Sequence, residues 1–226
     1  DVSVTLLLPA SAQASDGFAR AGHLVGQEKE IAVLFADLRG FTKLAEHKLP
    51  YDVVFFLNRY FEVAGSAIER FGEIANQFTG DGVMALFGVD SGPETGCRQA
   101  LAAAGEMAGT LSELSRSMAE ELDEPLRMGI GIHFGPAVVG NMGRGVARYL
   151  TAVSDTVHVA SRLQDLTKEY ECQMVISESV AERADIEVSA FARHELTVRN
   201  RRESIAIRTI HDIQALNLPS SGLRVS

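Results

Sequence analysis

Cysteine is scarce in this chain: Cys97 and Cys172 are the only two in 226 residues, and no Cys-x-x-Cys spacing occurs. That excludes a disulfide framework and a cysteine-based zinc site, and it suits a reducing, cytoplasmic setting. Basic charge is in deficit as well. Twenty-one Lys and Arg against thirty Asp and Glu leave a net charge of −9, which argues against a broad nucleic-acid footprint, because backbone phosphates are held by clustered cations. An anionic substrate would then need metal ions or a few local arginines. No run approaches the ~18 apolar residues of a membrane span. Residues 4–12 are too short, and lack the basic flank, for a signal peptide. What remains, 46% hydrophobic and 23% charged residues without repeats, fits one soluble globular domain with short extensions. Residues 1–28, with their Pro, Ser and Gly, are expected to form a linker or the tail of an upstream domain, and residues 213–226 a C-terminal tail.

Two aspartates carry the chemistry. Asp37 ends the apolar run of residues 31–35, as on a strand covered on both faces, and packing does not explain a charge there. Asp81 sits in Gly80-Asp81-Gly82 between two β-rich segments. Either one alone reads as a turn residue, since Asp-Gly between strands is a hairpin signal. As a pair of rigidly held carboxylates they suit hard cations. Mg²⁺ combines carboxylate oxygen with substrate phosphate, and two ions ~3.5–4 Å apart stabilise the attacking and leaving oxygens of an in-line phosphoryl displacement.

Pro50 and the three-and-four spacing of Val53, Leu57, Phe61, Ala64 and Ile68 predict an amphipathic helix ending near Gly72. Residues 74–79 and 83–87 predict a hairpin with Asp81 at its tip. A second helix is expected from Pro93 to about Leu122. Residues 128–134 and 137–139 are expected as two strands around Gly135-Pro136, followed by a flexible glycine-rich arm, Gly140-Asn-Met-Gly-Arg-Gly145. The arm is no P-loop, because no Gly-Lys-Ser/Thr follows and no helix opens there. Ser154 or Asp155 caps a helix to about Thr167 with Val157, Ala160 and Leu163 inward. His158 and Arg162 lie on its other side, where such residues usually form an ordinary solvated face. A strand at 174–176, a short helix from Ser177, and strands at 195–198 and 205–210 follow. The order βαββαβ with an αβ extension predicts an α+β fold rich in antiparallel pairs, with helices on one face.

Four segments, Phe35-Ala-Asp-Leu-Arg-Gly-Phe-Thr42, Gly80-Asp-Gly-Val-Met-Ala-Leu-Phe-Gly88, Gly129-Ile-Gly-Ile-His-Phe-Gly135 and Thr151-Ala-Val-Ser-Asp-Thr-Val-His-Val-Ala-Ser-Arg-Leu163, occur in this order. Over about residues 29–212 the chain thereby resembles the class III adenylate/guanylate cyclase catalytic domain, of the bacterial branch with Thr at the second base-selecting position. The resemblance implies a ferredoxin-like core working as a head-to-tail homodimer. It also implies two Mg²⁺ or Mn²⁺ ions on Asp37, Asp81 and the Leu38 carbonyl, and attack of the ribose 3′ hydroxyl of ATP on the α-phosphate. Amides near Gly40, Phe41 and Thr42 would receive the terminal phosphates, which suits a strand-to-helix turn. Arg162 would stabilise charge on the α-phosphate, His158 would stand at the ribose-orienting position, Gln77 and Thr151 would read the base, and Arg201 would contact the triphosphate.

Three positions depart from the family pattern: Gln77 replaces a base-selecting Lys, His158 an Asn, and Ser154 a Gly. Gln both donates and accepts, so purine selectivity is weakened and GTP becomes an alternative substrate. His158 can still donate to the ribose but is larger than an amide. A rival reading is a degenerate cyclase-like domain that only binds nucleotide or dimerises. Against it stand Asp37, Asp81 and Arg162, which packing gives no reason to keep. A diguanylate-cyclase or polymerase-palm relative would also use paired carboxylates, yet no Gly-Gly-Asp/Glu-Glu-Phe hairpin occurs.

Overall fold

The computed structural model describes residues 26–40, 46, 48–71, 76–122, 124–142, 149–198, 204–216 and 218. Its spine is β1 (Gln27–Arg39), an apolar strand buried on both faces from Ile31 to Leu34. Such a run is stable only between two layers, and two layers are present. Ala32, Leu34, Ala36 and Leu38 meet one packed cluster, whereas Ile31 and Val33 meet another on the opposite face.

The first layer comprises α1 (Pro50–Arg70), α2 (Pro93–Ser117) and α4 (Glu178–Ala184); the second is α3 (Asp155–Glu169). The expectation of helices on one face is therefore corrected, because Ala160, Val159 and Leu163 cover the other side of the sheet. Within α1 the buried line is Phe56, Tyr60, Ala64, Ala67 and Ile68. Val53, Leu57 and Phe61 are only half-buried.

Strands β2 (Asn76–Thr79), β3 (Gly82–Phe87), β4 (Arg127–Met142), β6 (Met174–Ser177), β7 (Ala192–Leu196) and β8 (Ile205–Ile210) complete one mixed sheet in the order β2-β3-β1-β4-β6-β8-β7. β5 (Tyr149–Val153) pairs with the far end of β4. The first four strands give the antiparallel ferredoxin-like order; β4 with β6 is a parallel pair.

Several boundaries differ from expectation. β4 runs straight through Pro136, because β6 pairs only with residues 130–132 and β5 only with 138–142. The Pro136 carbonyl instead accepts from Thr156 Oγ1 at 2.7 Å, so its missing N–H faces a gap where no strand needs it. Gly140, Asn141 and Met142 extend β4 rather than a free arm; residues 143–148 lie outside the described part. α2 stops at Ser117, after which the Leu126 amide is captured by Ser115 Oγ at 2.9 Å. β7 begins at Ala192, three residues before the expected start, and ends at Leu196.

α3 seats so closely on β4 that only glycine fits beneath it. A Cβ at Gly131 would stand 2.2 Å from the Gln164 nitrogen and 2.5 Å from the Ala160 oxygen, both backbone atoms of α3. Gly131→Ala is expected to cost about 2 kcal/mol, in the range of core overpacking, and to displace the helix that carries His158 and Arg162. Chemical denaturation with activity on the same preparation checks it; unchanged stability would mean that α3 shifts freely.

Candidate active site

Asp37 points to the α3 side of the sheet, two residues from the end of β1. Its cross-strand partners are Gly82 on β3 and Gly129 on β4, so neither flanking strand sets a side chain directly opposite the carboxylate. Asp81 stands in the two-residue turn between Thr79 and Gly82, where Gly80 adopts φ +65°, a conformation that glycine takes without Cβ strain. The Leu38 amide donates to the Asp81 backbone oxygen at 3.4 Å, tying the hairpin tip to the strand end. Gly40, at φ +72°, turns the chain out of β1.

Together Asp37, Leu38, Gly40 and Asp81 line an open cleft of about 580 Å³, with Arg39, Arg127, Lys168 and Glu171 on its other walls. Burial, and next the charge of Asp81, push the Asp37 carboxyl above its usual range; Lys168, whose Nζ lies 3.3 Å from Asp37 Oδ2, pulls it back. Below them Tyr60 is fully buried, and its hydroxyl has no hydrogen-bond partner among the described residues. Burial above all, then Asp37 and Asp81, raise its phenol, which stays neutral. Arg39 donates to the backbone oxygens of Thr167, at 2.6 Å, and Cys172, bracing β1 against the end of α3.

Gln77 and Thr151 meet elsewhere. Gln77 Nε2 donates to the Leu150 carbonyl at 3.4 Å, which brings β2 beside β5 and next to the buried Thr151. Ser154 caps α3, its Oγ accepting from the Val157 amide at 3.4 Å. His158 and Arg162 then project from the exposed side of that helix. Arg162 is 49% exposed and pairs with Glu169 at 2.9 Å, a surface contact worth about 0–1 kcal/mol and easily given up.

The sequence-predicted residues thus fall into two groups. None of Gln77, Thr151, His158 and Arg162 lines the cleft that holds Asp37 and Asp81. Phe41, Thr42 and Arg201 lie outside the described residues. Sequence reading missed Lys168, Arg127, Glu171 and Tyr60. Lys168 follows Asp37 by 131 positions, so no local pattern connects them.

The donor set also bears on metal binding. Among the described residues no group of three or more His, Cys, Asp or Glu could hold an ion by themselves. Two mutually repelling carboxylates and backbone oxygen fit a hard divalent cation that takes its remaining ligands from substrate phosphate and water.

Residues 25–211 match the model of the adenylate and guanylate cyclase catalytic domain. The chain belongs to this family. Over 186 residues the cyclase domain is 34% identical to an adenylate cyclase of Anabaena cylindrica, covering 79% of this chain and 36% of that protein. It is 30% identical over 187 residues to the terminal-differentiation-specific adenylate cyclase of Dictyostelium discoideum, covering 81% of this chain and 9% of that one. It therefore spans about a third or less of these relatives. Among solved structures, the guanylyl cyclase Cya2 superposes with a TM-score of 0.74 at 28% identity, covering 89% of this chain and all of that one. A bacterial light-regulated adenylyl cyclase superposes with 0.67 at 26% identity, covering 83% of this chain and 53% of the other. The mixed sheet and the helices packed on it are those of the family. No helix among the described residues is long and apolar enough to cross a membrane.

Proposed function

We propose that this cyclase domain converts ATP to 3′,5′-cyclic AMP and pyrophosphate, at sites that two copies of the chain share head to tail. The observation that carries the reading is the division of the site within one chain. The carboxylates open into a cleft that Gln77, Thr151, His158 and Arg162 do not line, whereas both groups of residues have a role in one reaction. A second copy, presenting its Gln77, Thr151, His158 and Arg162 to this cleft, completes it.

Asp37, Asp81 and the Leu38 carbonyl would hold Mg²⁺ or Mn²⁺. Two such ions supply Lewis-acid activation of the 3′ hydroxyl and compensate charge on the leaving pyrophosphate. The bond formed joins the 3′ oxygen to the α-phosphorus, the bond broken releases pyrophosphate, and the hydroxyl proton leaves to solvent. Arg162 supports the charge that builds on the α-phosphate; its exposed pair with Glu169 is a small obstacle. His158 donates to the ribose. Amides near Gly40, Phe41 and Thr42, with Arg201, receive the outer phosphates, and Arg127 adds a cation to the same cleft. The greater length of the relatives supports a sensor or regulatory domain in the full protein; the catalytic part would work in the cytoplasm, its product acting as a signal.

The purine pocket is where GTP competes. With Gln77 Nε2 engaged by Leu150, the free atom is an acceptor, and Thr151 offers a hydroxyl. Both meet the amine edge of adenine, yet neither punishes guanine, since rejection requires a buried polar group left unpaired by the wrong base. ATP is expected to be preferred about tenfold in kcat/KM, equivalent to ~1.4 kcal/mol, and Gln77→Lys is expected to raise both preference and rate. Incubating the purified domain with ATP or GTP and Mn²⁺, followed by chromatography of the products, tests the whole proposal. Cyclic nucleotide from neither purine would instead favour a silent, regulatory domain. Strict selectivity for one purine would remove Gln77 from the pocket.

A further inference from the structure

We infer that Lys168 is a resident counter-cation of the acidic cleft, occupying the Asp37 carboxylate until a divalent ion displaces it, so that bare metal binds weakly and metal uptake is favoured together with the nucleotide. The inference rests on the reading of Asp37 and Asp81 as metal ligands.

The pair differs from an ordinary helix-end contact. Lys168 lies in the last turn of α3, where a cation is welcome to the helix dipole and where Asp165 and Glu169 flank it on its own helix. Its Nζ nevertheless reaches across to the opposing strand end, 3.3 Å from Asp37 Oδ2. The lysine side chain is 56% exposed and therefore free to swing away at little cost, whereas Asp37 is only 21% exposed and fixed between two glycine partners. Asp81 and Asp165 both add negative potential at Asp37.

The same placement makes Lys168 a competitor. A doubly charged ion at Asp37 and a lysine ammonium hydrogen-bonded to the same oxygen cannot coexist at contact distance. The ion must break the pair and then bear its repulsion. Once released, Lys168 still faces the cleft that Arg127 and Gly40 line. Polyphosphate oxygens there would give it a new partner, so nucleotide lowers the cost of displacing it. The lysine thus acts as a positioning residue: it sets the charge at Asp37 and the order in which metal and nucleotide bind.

The test uses the full chain at pH 8 and measures Mn²⁺ binding calorimetrically and by the paramagnetic resonance signal of free Mn²⁺, with no nucleotide present. Lys168→Gln is expected to tighten Mn²⁺ binding about fivefold, the upper range for a partly exposed pair. Lys168→Arg, which keeps the charge, is expected to bind as the wild type does. Asp37→Asn should lose Mn²⁺ binding at the cleft. Unchanged or weaker binding in Lys168→Gln, with loss in Asp37→Asn, would overturn the role of Lys168 while leaving the metal ligands in place. Wild-type binding in Asp37→Asn would remove the metal reading, and the proposal with it. The lysine is exposed, so circular dichroism should find each Lys168 variant folded.

Discussion

Asp37→Asn and Asp81→Asn are each expected to reduce turnover about a thousandfold or more at saturating Mn²⁺, because several kcal/mol of transition-state charge stabilisation is lost with a metal ligand. The fold should survive. Asp37 faces two glycines, and Asp81 occupies a turn, so neither carboxylate fills core space. At Asp37 the structure predicts more than tolerance. Its carboxyl is held above the ordinary value of 3.8 by burial and by Asp81, with Lys168 offsetting only part of this. A carboxyl whose pKa is raised on folding binds its proton more tightly in the folded state, so ionising it at neutral pH disfavours that state. Metal-free Asp37→Asn is therefore expected to melt at or above the wild-type temperature near pH 7. The difference should shrink as pH falls through the folded value and vanish below 3.8, where the wild-type carboxyl is protonated in both states. Thermal unfolding in a chelating buffer between pH 4 and 8, beside cyclase assays, reads both effects. Comparable activity in either variant would sink the metal assignment. A large loss of stability at pH 7 would mean that Asp37 supports the fold after all.

Arg162→Ala should lower kcat by about a hundredfold with a smaller change in KM, since losing one preorganised donor typically costs ~2.7–4 kcal/mol in the transition state. Stability should hardly respond, because the guanidinium is half exposed and its ion pair with Glu169 is a surface contact. The informative experiment mixes Arg162→Ala with Asp81→Asn. In a head-to-tail dimer the mixed species carries one site with both defects and one with an intact carboxylate pair facing an intact Arg162. If half of the dimers are mixed and half of their sites intact, about a quarter of wild-type activity should return. Two inactive preparations would then become active on mixing. Absence of recovery, with mixed dimers demonstrated by differential tagging, would place Arg162 and Asp81 in the same chain's site and contradict the shared arrangement.

Much of this protein is legible in short stretches of its sequence. The apolar run into Asp37 specifies a strand covered on both faces, and Gly80-Asp81-Gly82 specifies the turn that presents the second carboxylate. The spacing in α1, α2 and α3 specifies three helices, and four motifs in chain order identify the family. Each of these signals is carried by residues within one or two turns of each other, where backbone preference and hydrophobic periodicity act directly. Other features depend on partners far along the chain. Pro136 reads locally as a strand breaker, yet β6 and β5 leave its missing N–H facing a gap and β4 continues through it. α3 covers the opposite face from the other helices because glycine at 131 lets its backbone touch the sheet. Lys168 finds Asp37 across 131 positions, and the cleft excludes Arg162, by the way α3 lies over the strand ends. Local sequence determined which elements form and which side chains carry charge. Tertiary packing alone decided which of those charges meet, because contact between distant residues is set by how whole layers stack.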